Sequence, residues 1–77
     1  MATGFIHTVY KDGEWINEVE DGDVRRVPGR FATRDEAVAA GRTRAMADET
    51  EHVIHNMDGT VHERTSYSND PPPHQSG

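Results

Sequence analysis

Three Asp-Gly pairs, Asp12-Gly13, Asp21-Gly22 and Asp58-Gly59, punctuate this chain of 77 residues, and each lies between segments rich in β-forming side chains. Asp-Gly readily takes the two positive-φ positions of a type I′ turn, whose twist matches that of paired strands, so each pair predicts a hairpin. Strands are expected over 5–11, 14–20, 23–27, 52–57 and 60–65. Pro28-Gly29 closes the third, because proline removes a ladder donor and glycine tolerates a turn.

Between the third and fourth strands stands Thr33-Arg34-Asp35-Glu36, the form of a capping box. There the threonine hydroxyl accepts from the Glu36 amide and the Glu36 carboxylate reaches back to residue 33, so a helix starts at this point. Ala37, Val38, Gly41 and Ala45 recur at helical spacing as a stripe of small residues able to lie close to a sheet, while Arg34, Arg42, Arg44 and Asp48 favour solvent. The helix should end near Asp48 or Glu49. The expected fold class is α+β: a small antiparallel sheet with one helix, in the order β-β-β-α-β-β. One domain is expected over 1–70, followed by a proline-rich flexible tail over 71–77, where three prolines and no other apolar residue leave nothing to bury.

Two-residue loops fix register. Around Asp12-Gly13, Tyr10 faces Trp15, Thr8 faces Asn17 and Ile6 faces Val19, which is taken as the core side. The opposite side carries Phe5, His7, Val9 and Lys11 against Glu20, Glu18, Ile16 and Glu14, with Arg25 and Val27 from the third strand. Its apolar component, Phe5, Val9, Ile16 and Val27, is expected to be covered by the helix or the last hairpin. The alternative is a surface that awaits a partner or pairs two chains.

A chain this short builds one core only, burying about 60% of its unfolded surface. It contains no cysteine, which removes disulfides, zinc-thiolate sites, iron–sulfur clusters and thiol catalysis together and suits a reducing cytoplasm. The first residues have neither a basic start nor an apolar run, so no signal peptide is expected, and no apolar stretch approaches the ~20 residues a bilayer needs. Net charge is −6, which disfavours nucleic acid and anionic lipid. The charge is unevenly spread, however: residues 12–23 hold six carboxylates and no cation, whereas residues 25–44 hold Arg25, Arg26, Arg30, Arg34, Arg42 and Arg44.

Few residues suggest chemistry. In a two-residue loop at Asp58-Gly59, His55 stands opposite His62, and two cross-strand imidazoles are weak candidate metal ligands whose third partner would be His7 or a carboxylate. His7 pairs with Glu18, with Arg25 beside it; cross-strand charge pairing accounts for this as well as acid–base chemistry does. No Gly-x-Ser-x-Gly elbow, P-loop or Gly-x-Gly-x-x-Gly occurs. Arg25, Arg26, Arg42 and Arg44 are the candidate contacts to phosphates, although a merely solvated helix face is the preferred reading of the helical ones.

The motifs His7-x-Val9, Gly13-x-Trp15, Phe31-x-Thr33, Glu36-Ala37, Gly41, Val53-Ile54-His55-x-x-Asp58-Gly59 and Arg64-x-Ser66-Tyr67-x-Asn69-Asp70-Pro71 come in one order over nearly the whole chain. In that order they resemble the domain-of-unknown-function 2188 family of small bacterial proteins. The resemblance implies the fold and organisation above and no catalytic role. This chain departs from the family pattern at Thr65 and Ser68, where Asn and Gly are usual, and in carrying the Arg25-Arg26 pair. It also singles out Tyr67, Asn69 and Asp70 as a segment with a fixed task, docking on the sheet in preference to presentation to another molecule. The function expected is a non-catalytic interaction or structural domain with no cofactor, bound to an unidentified protein or to itself. The alternatives are a nucleic-acid-binding module using 25–44 and a metal-binding protein through His55 and His62.

Overall fold

The computed structural model describes residues 4–67. Strands β1 (Phe5–Lys11), β2 (Glu14–Glu20) and β3 (Val24–Arg26) precede helix α1 (Arg34–Asp48), and β4 (Glu51–His55) and β5 (Val61–Ser66) follow it. The five strands form one sheet in the order β3-β2-β1-β4-β5. The fold is α+β, but the expectation of a purely antiparallel sheet is wrong, because β4 pairs with β1 in parallel, His7 beside Val53. The physical reason is the crossover: α1 carries the chain back over the sheet, so β4 runs in the same direction as β1. The proposed tail over 71–77 lies outside the described residues, as do Asn69 and Asp70.

The Asp12-Gly13 turn forms as expected, with both residues at positive φ and the predicted pairs from Phe5 with Glu20 to Lys11 with Glu14. The second turn takes three residues, since Glu20 pairs with Val24 and Val19 with Arg25. One residue more than expected flips β3, so Arg25 and Val27 belong to the helix side and not to the opposite one. Val27 accordingly packs on the core cluster of Ile6, Val19 and Ala45.

The last hairpin keeps its expected register from Glu51 with Ser66 to Ile54 with Glu63, then shifts so that His55 pairs with Val61. The turn is longer than Asp58-Gly59: the Asn56 amide donates to the Thr60 carbonyl at 2.7 Å. Inside it, the Thr60 hydroxyl and amide both donate to Asp58 Oδ1, and these bonds hold the Asp58 carboxyl below its ordinary range. His62 therefore does not stand opposite His55.

The capping box is present in full, with the Glu36 amide donating to Thr33 Oγ1 and the Thr33 amide to Glu36 Oε1. Glu49 closes the helix at φ 54°. Ala37, Gly41 and Ala45 are its buried residues, which sets the helix on the Ile6–Val19 face of the sheet. Beneath the helix lies a polar chain that links α1 with β2, β1 and β4. Asn17 Nδ2 donates to the Ala37 carbonyl at 3.0 Å, Thr8 Oγ1 donates to Asn17 Oδ1, and His52 Nε2 lies 2.7 Å from Thr8 Oγ1. Thr8 has one hydroxyl proton and gives it to Asn17, so His52 must donate from Nε2. Gly41 covers this chain because nothing larger fits: a Cβ there would come within 2.5 Å of Asn17 Oδ1, 2.7 Å of His52 Nε2 and 2.9 Å of Thr8 Oγ1.

Candidate functional site

The only helix among the described residues lies on one face of the sheet, so the other face is the one to examine for binding. Side chains of a strand alternate, and the register therefore lays out this open face row by row. Phe5, Glu20 and Val24 form a row across β1, β2 and β3; His7, Glu18 and Arg26 form the next, continued by Val53 and Arg64. Val9 and Ile16 lie one row further on. The expectation that helix or hairpin would cover Phe5, Val9 and Ile16 fails for Phe5, while Val9 is half-buried and Ile16 is out of solvent. Phe5 is 44% exposed and Val24 59% exposed, whereas Ile16 and Val53 are buried.

A cleft of about 180 Å³ opens on this face, lined by His7, Val9, Glu18, Glu20, Val24 and His55. The two imidazoles are in contact, His7 Nδ1 lying 2.9 Å from His55 Nε2 with the rings tilted by 31°. His55 Nδ1 lies 3.1 Å from the Gly59 carbonyl, an acceptor only, so that nitrogen carries a proton. In the neutral His55 ring Nε2 is then an acceptor, and His7 Nδ1 is the donor to it. What remains is His7 Nε2, which is buried without a hydrogen-bond partner although Glu20 Oε1 stands only 2.8 Å away. The two facts agree once direction is considered: the approach is close but lacks hydrogen-bond geometry.

The expected partnership of His7 with Glu18 is thus replaced. The two residues are cross-strand neighbours, but Glu18 accepts from Lys11 Nζ at 2.8 Å and His7 turns to Glu20 and His55. The other carboxylates of the face are also matched by cations, Glu14 by Arg26 at 3.0 Å and Glu51 by Arg64 at 3.4 Å. Glu20, with 54% of its side chain exposed, is the one carboxylate of this face with no lysine or arginine among the described residues.

The register shift pairs His55 with Val61, so His62 is not its direct cross-strand partner. His7 replaces His62 as the neighbour of His55, yet the two nitrogens point at each other and do not converge on a third position. Among the described residues no three of His, Asp and Glu are grouped as metal ligands.

The candidate arginines divide between faces. Arg25, Arg26 and Arg44 line a shallow cleft with Val19, Val27 and Pro28, but Arg25 donates to Asp21 and Arg44 to Asp48. Arg26 is committed to Glu14 on the open face, and Arg42 stands exposed on the helix, close enough to His52 for its charge to be felt there. Three of the four thus share one cleft, which Arg42 does not line. Tyr67 follows β5, its amide donating to the Thr50 carbonyl at 3.1 Å, and packs partly buried on Ile6, Val19 and Ala45.

Sequence reasoning missed two features. His52 is 1% exposed, and burial first, then the Arg42 charge, lowers its pKa to about 4, against a smaller opposing pull from Glu63. The meeting of His7 with His55 was equally hidden, since it depends on the parallel pairing of β1 with β4. No helix among the described residues is long and apolar enough to cross a membrane.

A family model described as an uncharacterized protein conserved in bacteria, DUF2188, matches residues 6–67. No curated protein and no solved structure matches the chain significantly. The match takes in every strand and the helix, from Ile6 in β1 to Tyr67 beyond β5, so the chain belongs to the domain-of-unknown-function 2188 family.

Proposed function

We propose that the protein is a non-catalytic interaction domain and that it binds through the sheet face opposite the helix. The observation that carries this is the row of Phe5, Glu20 and Val24, in which two large apolar side chains stay exposed on either side of a carboxylate at the edge of a cleft. Leaving such side chains half in water forgoes roughly half of the ~1.5–3 kcal/mol that full burial of each would contribute, a cost that a partner's surface removes. The absence of catalytic motifs from the sequence and the engagement of both ring nitrogens of His55 also favour binding over acid–base chemistry. The arginines lend less support to nucleic-acid binding, since Arg25, Arg26 and Arg44 are each held by a carboxylate.

The double variant Phe5→Ser, Val24→Ser tests the proposal against Met46→Ser, Met57→Ser, which removes two side chains of comparable exposure elsewhere. Both variants should remain folded, as mostly exposed positions tolerate substitution to within about 0.5–1 kcal/mol each. Proteins retained by the tagged wild-type domain in lysate of its own host should be lost with the first pair and kept with the second. Equal retention by both variants, or loss only with the methionine pair, would count against the open face.

A further inference from the structure

We propose that the partner of this face presents a lysine side chain from an extended segment, its alkyl stem lying between Phe5 and Val24 and its ammonium against the Glu20 carboxylate. The proposal rests on the open face being the binding surface and goes on to name what the partner must offer it.

Charge is the first argument. On a face where Lys11 answers Glu18, Arg26 answers Glu14 and Arg64 answers Glu51, Glu20 has no such partner among the described residues. Its one close neighbour, His7 Nε2, makes no hydrogen bond to it. The carboxylate is half exposed and bears a charge that no hydrogen-bonded cation among the described residues meets. An incoming ammonium supplies donors on the outer side of the carboxylate.

Shape is the second argument. Register places Phe5 on one side of Glu20 and Val24 on the other, with Val9 on the cleft wall. This is apolar lining that suits a chain of methylenes ending in a charge, the way a lysine lies along apolar surface while its head remains polar. Arginine fits less well. Its fork is matched to a carboxylate with both oxygens open, and Glu20 Oε1 is turned to His7, leaving one oxygen for a single-point contact. The acidic balance of the whole chain, −6, attracts a basic segment at longer range.

The test is a titration of the isotope-labelled protein, followed by amide NMR, with the capped tripeptides Val-Lys-Val and Val-norleucine-Val, which differ in the ammonium alone. The lysine peptide should move the amides of Val9, Glu20 and Val24 and bind about two- to five-fold more tightly than its norleucine counterpart, the gain expected of one partly exposed ion pair. Glu20→Gln should abolish that difference, while Glu14→Gln should leave it intact. Equal affinity of the two peptides for the wild type would overturn the proposal. A lysine preference that survives in Glu20→Gln would overturn it as well. Neither outcome touches the wider claim about the open face, which the Phe5 and Val24 variants decide separately.

Discussion

Gly41→Ala is expected to destabilise the fold by about 2–4 kcal/mol, although alanine in place of glycine within a helix is ordinarily worth about 1 kcal/mol in the other direction. The added methyl would come within 3.0 Å of three atoms of the buried polar chain, Asn17 Oδ1, His52 Nε2 and Thr8 Oγ1. It lifts the helix from the sheet, which costs about 1–3 kcal/mol as overpacking does, and breaks a buried hydrogen bond, which costs about the same again, so that a loss centred on about 2–4 kcal/mol remains after the gain in helix propensity. A domain of this size has roughly 4–11 kcal/mol in total, so the melting temperature should fall by at least about 10 °C. Circular dichroism on heating and in urea measures both. A melting temperature equal to or above wild type would show that the helix does not lie on this chain as described.

The second large effect is on acid stability. His52 is held neutral in the fold, its pKa lowered to about 4, whereas the unfolded chain takes up a proton near the ordinary value of 6.5. Below 6.5 the unfolded state therefore binds more protons than the native one, and stability falls as pH falls. The contribution is fully present above about pH 6.5 and is lost progressively toward pH 4, amounting to about 3 kcal/mol. Glu63 opposes the shift, while Arg42 and His7 add to it. Urea titrations at several values between pH 7 and 5, compared with His52→Gln, isolate this residue from the other histidines and the carboxylates. Wild type should lose stability more steeply than the variant across that window; parallel curves would mean that His52 is not confined as a neutral ring.

These two residues mark where the sequence was legible and where it was not. The first hairpin was readable because its turn is local: Asp12-Gly13 sets the register from Phe5 to Glu20 without help from the rest of the chain. The helix start was equally local, fixed by Thr33 and Glu36. The small residues Ala37, Gly41 and Ala45 announced close packing, but not that a glycine was needed to clear a polar chain. That depended on which strand came to lie beside β1, a non-local choice. The pairing of His52 next to Ile6, and of His7 with His55, follows from it. Single-residue differences in loop length did the remaining damage. A three-residue turn after β2 moved Arg25 and Val27 to the helix side, and the shift after Ile54 put Val61 opposite His55, dissolving the histidine pair that had suggested a metal site. In each case the side-chain period of two turned a small error of count into a change of face.

The central claim, that the protein acts by binding through its open sheet face, is tested most directly by site-specific photo-crosslinking in the living host. A benzophenone side chain is placed at Val24 in one strain and at Met46 in another, two positions of similar exposure on opposite faces. The account predicts discrete adducts from Val24 and none from Met46. Adducts from Met46 alone, or no adduct from Val24 in cells where the domain is folded and abundant, would contradict it.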